Sequence, residues 1–206
     1  VAVLAESFRA FSDIHDIYDQ IRWIDETGME RVRVDLADGH AGIVPADRLQ
    51  NKARRYFFTD TMSVAAGEVY VSPLDLNVEH DRIEVPHKPT LRVGTPVFDA
   101  AGRPRGIVLV NYYGRELLDA FGRAASTTAE RAMLLNRDGH WLKAPDPGDE
   151  WGFMFRRAET FAQRHPGVWA RVRADERGQF EDDQGIWTFA TVHPLVAGER
   201  SSSGSG

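Results

Sequence analysis

The 206-residue sequence has no cysteine, which excludes a disulfide framework, a thiolate metal site and a cysteine nucleophile. No apolar run approaches the roughly 20 residues that a membrane-spanning helix needs, and no signal-peptide pattern stands at the start. Basic residues form no stripe. Charges of both signs are scattered over a chain of formal net charge −6, which argues against nucleic acid and anionic membrane surfaces as partners. There is no G-x-S-x-G, no phosphate-binding glycine loop and no H-E-x-x-H. The seven histidines (15, 40, 80, 87, 140, 165 and 193) include no helical i, i+4 pair, and His80 and His87 match no zinc spacing. Neither a metal nor a cofactor is therefore expected.

At 42% hydrophobic, the chain can bury one large core or two small ones. The best-organised stretch runs from Val69 to Gly114. Leu91, Val93, Thr95 and Val97 alternate with Thr90, Arg92, Gly94, Pro96 and Phe98, which predicts a strand. Asp99 to Pro104 is turn chemistry and Gly106 to Tyr112 is β-branched, so the two runs should form an antiparallel hairpin. Val69 to Ser72 is a short strand broken at Pro73. Pro73 to Pro89 is then a long covering loop in which Asp75, Asn77, Glu79, Glu84 and Lys88 surround Leu74, Leu76, Ile83 and Val85. A strand, a lid and a hairpin carrying mixed polar groups suit a small-ligand pocket.

Elsewhere, apolar residues at spacings of three and four from Val1 to Ile24 predict one amphipathic helix. Glu30–Asp35 and Ala41–Val44 read as a hairpin, followed by a helix from Arg48 to about Phe58. Arg115 to Ala125 is a connecting helix, and Ser126-Thr127-Thr128 marks a boundary. The pattern then partly repeats. Arg131–Asn136 and His140–Lys143 are strands, Phe153–His165 a short helix ended by Pro166, Val168–Arg173 and Gly178–Glu181 weak strands, and Ile186–His193 a strong one. Trp141, Trp151, Phe153, Phe155 and Phe161 should fill the core of this half.

VYVSPLDLN, IEVPHKPTLRVGTPVFDAAG and GIVLVNYYG, with DQIRWIDETGMERVRVD and LQNKARRYFF upstream and LLNRDGHWLKAPDPGDEWGFMF and WTFATVHPL downstream, resemble the double Cache sensor domains. These are tandem PAS-like domains of bacterial transmembrane receptors such as histidine kinases, diguanylate cyclases and chemoreceptors. The resemblance implies an α+β fold, with a long N-terminal helix and two PAS-like lobes, each an antiparallel sheet of about five strands flanked by helices. The second lobe is either complete or truncated by its last strand. The implied division is a signalling helix over 1–30, a membrane-distal lobe over 31–114, a connecting helix over 115–128 and a membrane-proximal lobe over 129–200. The Ser/Gly tail over 201–206 is either native or an engineered linker.

The resemblance also implies an extracytoplasmic domain, not itself an enzyme, whose distal lobe senses a small polar or anionic metabolite and modulates a cytoplasmic output domain. Membrane contact would run only through flanking helices outside this sequence. The N-terminal helix could pair with its copy in a homodimer or cover its own domain's sheet. The alternative is a dimerisation or partner-protein module that binds no ligand. The candidate ligand-binding residues are Arg55, Phe57, Tyr70, Ser72, Asp75, Arg92 and Thr95. Arg22, Arg33 and Arg54 complete a set of arginines suited to an anion or to internal acidic partners. Amino-acid-sensing relatives carry an Arg-x-Trp-Tyr-like element where this chain has Arg55-Tyr56-Phe57-Phe58. Phe58 in place of the tyrosine removes a hydroxyl, which favours a ligand other than an amino acid, such as a simple carboxylate.

Overall fold

The computed structural model describes residues 1–195 and 199–201. In chain order the elements are α1 (Ala2–Ile14), β1 (Tyr18–Ile24), β2 (Glu30–Ala37), β3 (His40–Ile43), α2 (Tyr56–Ser63), β4 (Val69–Val71), β5 (Asp75–Leu76), β6 (Val78–Glu79), β7 (Arg82–Ile83), β8 (Pro89–Phe98) and β9 (Pro104–Tyr113). There follow α3 (Gly114–Ala125), β10 (Leu134–Leu135), β11 (Trp141–Lys143), α4 (Phe161–Arg164), α5 (Pro166–Ala174), β12 (Arg177–Asp182), β13 (Gly185–Ala190) and β14 (Glu199–Arg200). The chain separates into two compact units. One is Val1–Leu117 rejoined by Leu195–Gly204, of which Leu195 and 199–201 are described, and the other is centred on Leu118–Pro194.

The α+β class holds, with the first unit built on one mixed sheet of eight strands rather than about five antiparallel ones. Its order is β14-β4-β8-β9-β1-β2-β3, with β5 also paired to β8. Every pairing is antiparallel except β14 with β4. The hairpin read from the sequence is β8–β9, ten residues a side, with Arg92 opposite Asn111 and Gly94 opposite Leu109.

The first helix stops at Ile14, not Ile24, and Tyr18–Ile24 is an inner strand between β2 and β9. Both faces of β1 are covered, and one of the buried faces is polar. Gln20 and Arg22 are as buried as Ile21 and Ile24, so no apolar alternation marks the strand. The second helix begins at Tyr56 rather than Arg48. The Asn51 side chain accepts the Ala53 amide at 2.9 Å, a local bond that competes with helix, and the Lys52 amide bonds Gly28 O instead.

One face of the sheet is divided by composition. Toward one end, Ile24, Ile107, Leu109 and Tyr70 pack with Phe57 and Phe58 of α2. Toward the other, Gln20, Arg22, Arg33, Asn111, Arg92 and Thr90 are buried polar groups. Gly94 sits where α2 crosses. A β-carbon there would lie 2.6 Å from Leu109 Cδ1 and 3.0 Å from Thr61, so the close approach of helix and strand needs glycine.

The second unit carries two separate two-stranded ladders, β10–β11 and β12–β13. Trp141, Ala144, Phe161 and Val168 form its core, flanked by Trp169, Phe180 and Trp187. Of the other expected core aromatics, Trp151 is buried, while Phe153 is half-buried and Phe155 is exposed. The helix expected over Phe153–His165 is only Phe161–Arg164, closed by a capping box between Thr160 and Gln163. Pro166 begins α5 rather than ending a helix, because proline at the first helical position loses no needed N–H, and Val168–Arg173 is therefore helix. The tail from 202 onward lies outside the described residues.

Gly94→Val should lower stability by about 1–3 kcal/mol through overpacking against Leu109 and Thr61. Gly122→Ala, in α3 with open space around it, should instead raise it by up to about 1 kcal/mol. Urea denaturation of the two variants checks both.

Candidate functional site

The polar half of the sheet is a continuous buried network. Arg92, 1% exposed, donates from Nη1 to Asp75 Oδ1 at 2.6 Å and to Tyr56 OH at 3.3 Å, and from Nη2 to Asn77 Oδ1 at 3.2 Å. The Tyr56 hydroxyl donates to Asp75 Oδ2 at 2.6 Å. Burial, reinforced by Asp75 and opposed by Arg92, pushes the phenol well above its ordinary range, so it stays a donor. Arg22, 2% exposed, bonds Asn111 Oδ1, whose Nδ2 in turn donates to Gln20 Oε1 at 3.0 Å. The guanidinium carbons of Arg22, Arg55 and Arg92 lie 5.4, 5.6 and 5.0 Å from the centre of the Phe57 ring.

Arg22 and Arg33 are direct cross-strand neighbours on β1 and β2. Glu30 lies between them, 3.6 Å from Arg22 Nη1 and 4.0 Å from Arg33 Nη1. Glu30 and Arg33 are an odd number of residues apart and would point to opposite faces of a regular strand. A bulge at exposed Arg31 reverses the alternation and brings both to the buried face. Burial pulls the Arg22 guanidinium down to about 10, only partly offset by Glu30, with Arg33 and Arg92 repelling it. The Nε atoms of Arg22 and Arg92 have no hydrogen-bond partner among the described residues.

Glu79, at the end of β6, closes the other side. Its Oε2 accepts from Gln50 Nε2 at 2.8 Å, Arg33 Nη1 at 3.2 Å and Lys52 Nζ at 3.3 Å, and its Oε1 from Gln20 Nε2 at 3.3 Å and Asn77 Nδ2 at 3.4 Å. Burial would raise its pKa, but Arg33, Lys52 and the Gln50 bond hold it well below the carboxylate range. Lys52 is lowered by burial, which Glu79 partly offsets. Among the described residues no group of three or more His, Asp and Glu is placed to hold a metal ion.

Of the seven candidates, Asp75, Arg92 and Phe57 meet in this network. Tyr70 and Ser72 share the Arg92 face, as alternation predicts. Ser72 Oγ, however, accepts the Arg92 amide at 2.8 Å and donates to Pro73 O, which ties down backbone, and Tyr70 OH donates to Asp60 at 3.3 Å within the apolar core. Arg55 caps α2, half-buried, with its guanidinium on Phe57. Thr95 points to the opposite face, where its hydroxyl donates to Glu68 O at 3.0 Å, because β8 alternates and Arg92 takes the buried side. Tyr56, Glu30, Glu79, Gln20, Gln50, Lys52 and Asn111 were not singled out. The hydroxyl that seemed lost at Phe58 is supplied by Tyr56, which α2 turns toward Asp75.

Arg92→Ala should cost about 3–5 kcal/mol, because Asp75 is left buried and unpaired, while Arg92→Met with Asp75→Leu should recover most of it. Chemical denaturation of the single and double variants measures the difference. The folded state holds the Glu79 proton more weakly than the unfolded chain, where a glutamate titrates near about 4.3. Its contribution is therefore full above that range and lost as pH falls through and below it, and Glu79→Gln should flatten the acid limb of a melting-temperature profile.

No curated protein matches the sequence. A solved domain described as part of a sensory box/GGDEF family protein of Vibrio parahaemolyticus superposes with a TM-score of 0.79 at 20% identity, covering 93% of this chain and 72% of that one. The extracellular domain of a histidine kinase gives 0.74 at 20% identity, covering 93% and 68%. The ligand-binding domain of the Pseudomonas aeruginosa PAO1 amino-acid chemoreceptor PctC, in complex with GABA, gives 0.50 at 17% identity, covering 80% and 63%. An extracytoplasmic placement accords with these structures, and no helix among the described residues is long and apolar enough to cross a membrane. The family model for the sensor domain of bacterial histidine kinases matches residues 2–201, and with this buried network on a sheet of the same fold the chain belongs to that family.

Proposed function

We propose that this sensor domain detects a small polar or anionic metabolite in its first unit, on the polar half of the sheet beneath the segment from Pro73 to Pro89, and that occupancy there modulates a cytoplasmic output domain. The observation that carries this reading is Arg22. It is a fully buried guanidinium whose nearest carboxylate among the described residues is 3.6 Å away, with Arg33 and Arg92 beside it and an Nε that has no hydrogen-bond partner among those residues, so an added anion relieves a cost the fold now bears. The GABA complex of PctC supports it by showing a small ligand on a related fold. A ligand that binds one state of the domain better than another shifts the balance between them by that difference in affinity and no more.

A second reading, dimerisation through α1, is favoured by one feature. Val3 and Ile14, 81% and 76% exposed, lie with Ala10 along the helix side opposite buried Ala5 and Ser12. The two readings are compatible.

A thermal-shift screen against carboxylates, amino acids, amines and nucleobases tests the first. A ligand at a hundred times its Kd adds about 2.7 kcal/mol, or about 5–10 °C for a chain of this length, and the shift should vanish in Arg92→Lys, which keeps the charge but not the fork. A parent that no metabolite stabilises overturns the sensing reading. For α1, sedimentation of the parent against Ile14→Glu should show a dimer weakened by the charge, and a parent that is monomeric at all concentrations overturns it.

A further inference from the structure

The β6–β7 hairpin is a two-stranded ladder of its own, outside the backbone ladders of the main sheet among the described residues. Its turn residues His80 and Asp81 are exposed and take positive φ, and Arg82 is exposed as well. The Glu79 carboxylate pins it to the sheet, and the His80 amide adds one longer bond to Gln50 Oε1 at 3.4 Å. Glu79 reaches between β1, β2 and the segment 50–52 and receives five side-chain donors from four places in the chain.

Four of those donors are fixed without the hairpin. Arg33 is held by Asp35, with Nε to Oδ1 at 2.7 Å and Nη2 to Oδ2 at 3.0 Å. Lys52 Nζ donates to Gln50 Oε1 at 3.0 Å, and Gln20 is fixed by Asn111. Without Glu79 the cradle keeps three cations, Arg22, Arg33 and Lys52, against two carboxylates, Glu30 and Asp35. A pre-organised, net positive pocket of amide, ammonium and guanidinium donors is suited to a carboxylate. Glu79 itself is 18% exposed, so the seat opens to solvent on the hairpin side.

We propose that Glu79 is a placeholder. The donors around it form a carboxylate-binding cradle, and the metabolite of the domain is a small carboxylate that takes the seat of Glu79 and releases the β6–β7 hairpin. The proposal rests on the sensing reading above and adds to it the ligand class and the contact that ligand must break. Because the tethered carboxylate competes at an effective concentration in the millimolar range or higher, a bare carboxylate does not displace it. A ligand that does so also carries a second group, and Glu30, which joins Arg33 to Arg22, marks Arg22 as its neighbour.

The test uses sodium acetate as the probe, exchanged for chloride at constant ionic strength, on the parent, Glu79→Ala and Glu79→Gln. Acetate should raise the melting midpoint of Glu79→Ala by several degrees and saturably, and leave the parent and Glu79→Gln, whose amide fills the seat, unmoved. Hydrogen exchange should show amides 77–84 of Glu79→Ala less protected than in the parent and still unprotected in acetate, since free acetate fills the cradle without holding the hairpin. If Glu79→Ala is unfolded in chloride, recovery of its folded circular-dichroism signal in acetate is the supporting result. No acetate response in Glu79→Ala, an equal response in all three proteins, or return of hairpin protection with acetate overturns the proposal. Failure of the sensing reading is distinguishable. It shows as a parent that no metabolite stabilises, and it leaves the acetate response of Glu79→Ala intact.

Discussion

Arg22 and Arg33 face each other directly across β1 and β2, and both are buried. Like charges in that position repel, and burial leaves the repulsion only weakly screened by solvent. The rest of the first unit is arranged to make the pair tolerable. The bulge at Arg31 turns Glu30 inward between the two guanidinium groups, Asp35 clamps Arg33 through two bonds, and Asn111 on β9 takes Arg22. Glu30 and Asp35 stand on β2 and Asn111 on β9, so the register of β1 against both neighbours is tied to the neutralisation of one pair. Arg92 is matched in the same manner by Asp75, Asn77 and Tyr56.

Where local chemistry and tertiary environment agree, the sequence was legible. The β8–β9 hairpin, the break at Pro73 and the common side of Tyr70 and Ser72 follow from alternation and turn residues, while the register of β4 on β8 adds Arg92 to that face. It misled where a buried surface is polar. β1 buries Gln20 and Arg22 on one side and Ile21 on the other, and its Tyr18, Ile21 and Ile24, spaced by three, imitate a helix that had ended at Ile14. Glu79 looked like one acidic loop residue among several, because nothing in its neighbours along the chain announces donors at positions 20, 33 and 50–52. Glu30 was hidden by the bulge, which no spacing rule anticipates. Arg92 and Asp75 were both singled out, Arg92 as an arginine suited to an anion or an internal acid, and Asp75 as a polar residue in the loop that precedes β8.

The two units meet the problem of burial differently. The second relies on aromatic contact, with Phe161 edge-on to Trp141, Trp169 and Trp187 at ring separations of 5.8–6.3 Å. Such a core has little polar content to rearrange. The first sets an apolar half, around Phe57, Phe58, Ile107 and Leu109, beside a polar half on the same sheet face, and Phe57 belongs to both. Its ring is packed from one side by aliphatic neighbours and approached by three guanidinium groups, so the geometry of the charges and the packing of the core are set by one side chain.

Only His15, Asp16 and Ile17 separate the end of α1 from the start of β1, and side-chain and backbone contacts bridge that corner. The Phe11 ring lies 4.5 Å from His15 and stacks on Tyr18 at 5.7 Å, and the Tyr113 amide bonds Ile17 O. Gln20 and Arg22, on the polar half of the sheet, sit two and four residues beyond Tyr18 at this corner. Extended chain advances about 3.3 Å per residue. At that rise Arg22 stands about 13 Å along β1 from Tyr18. The buried charges and the N-terminal helix are thus joined by one inner strand and a three-residue corner.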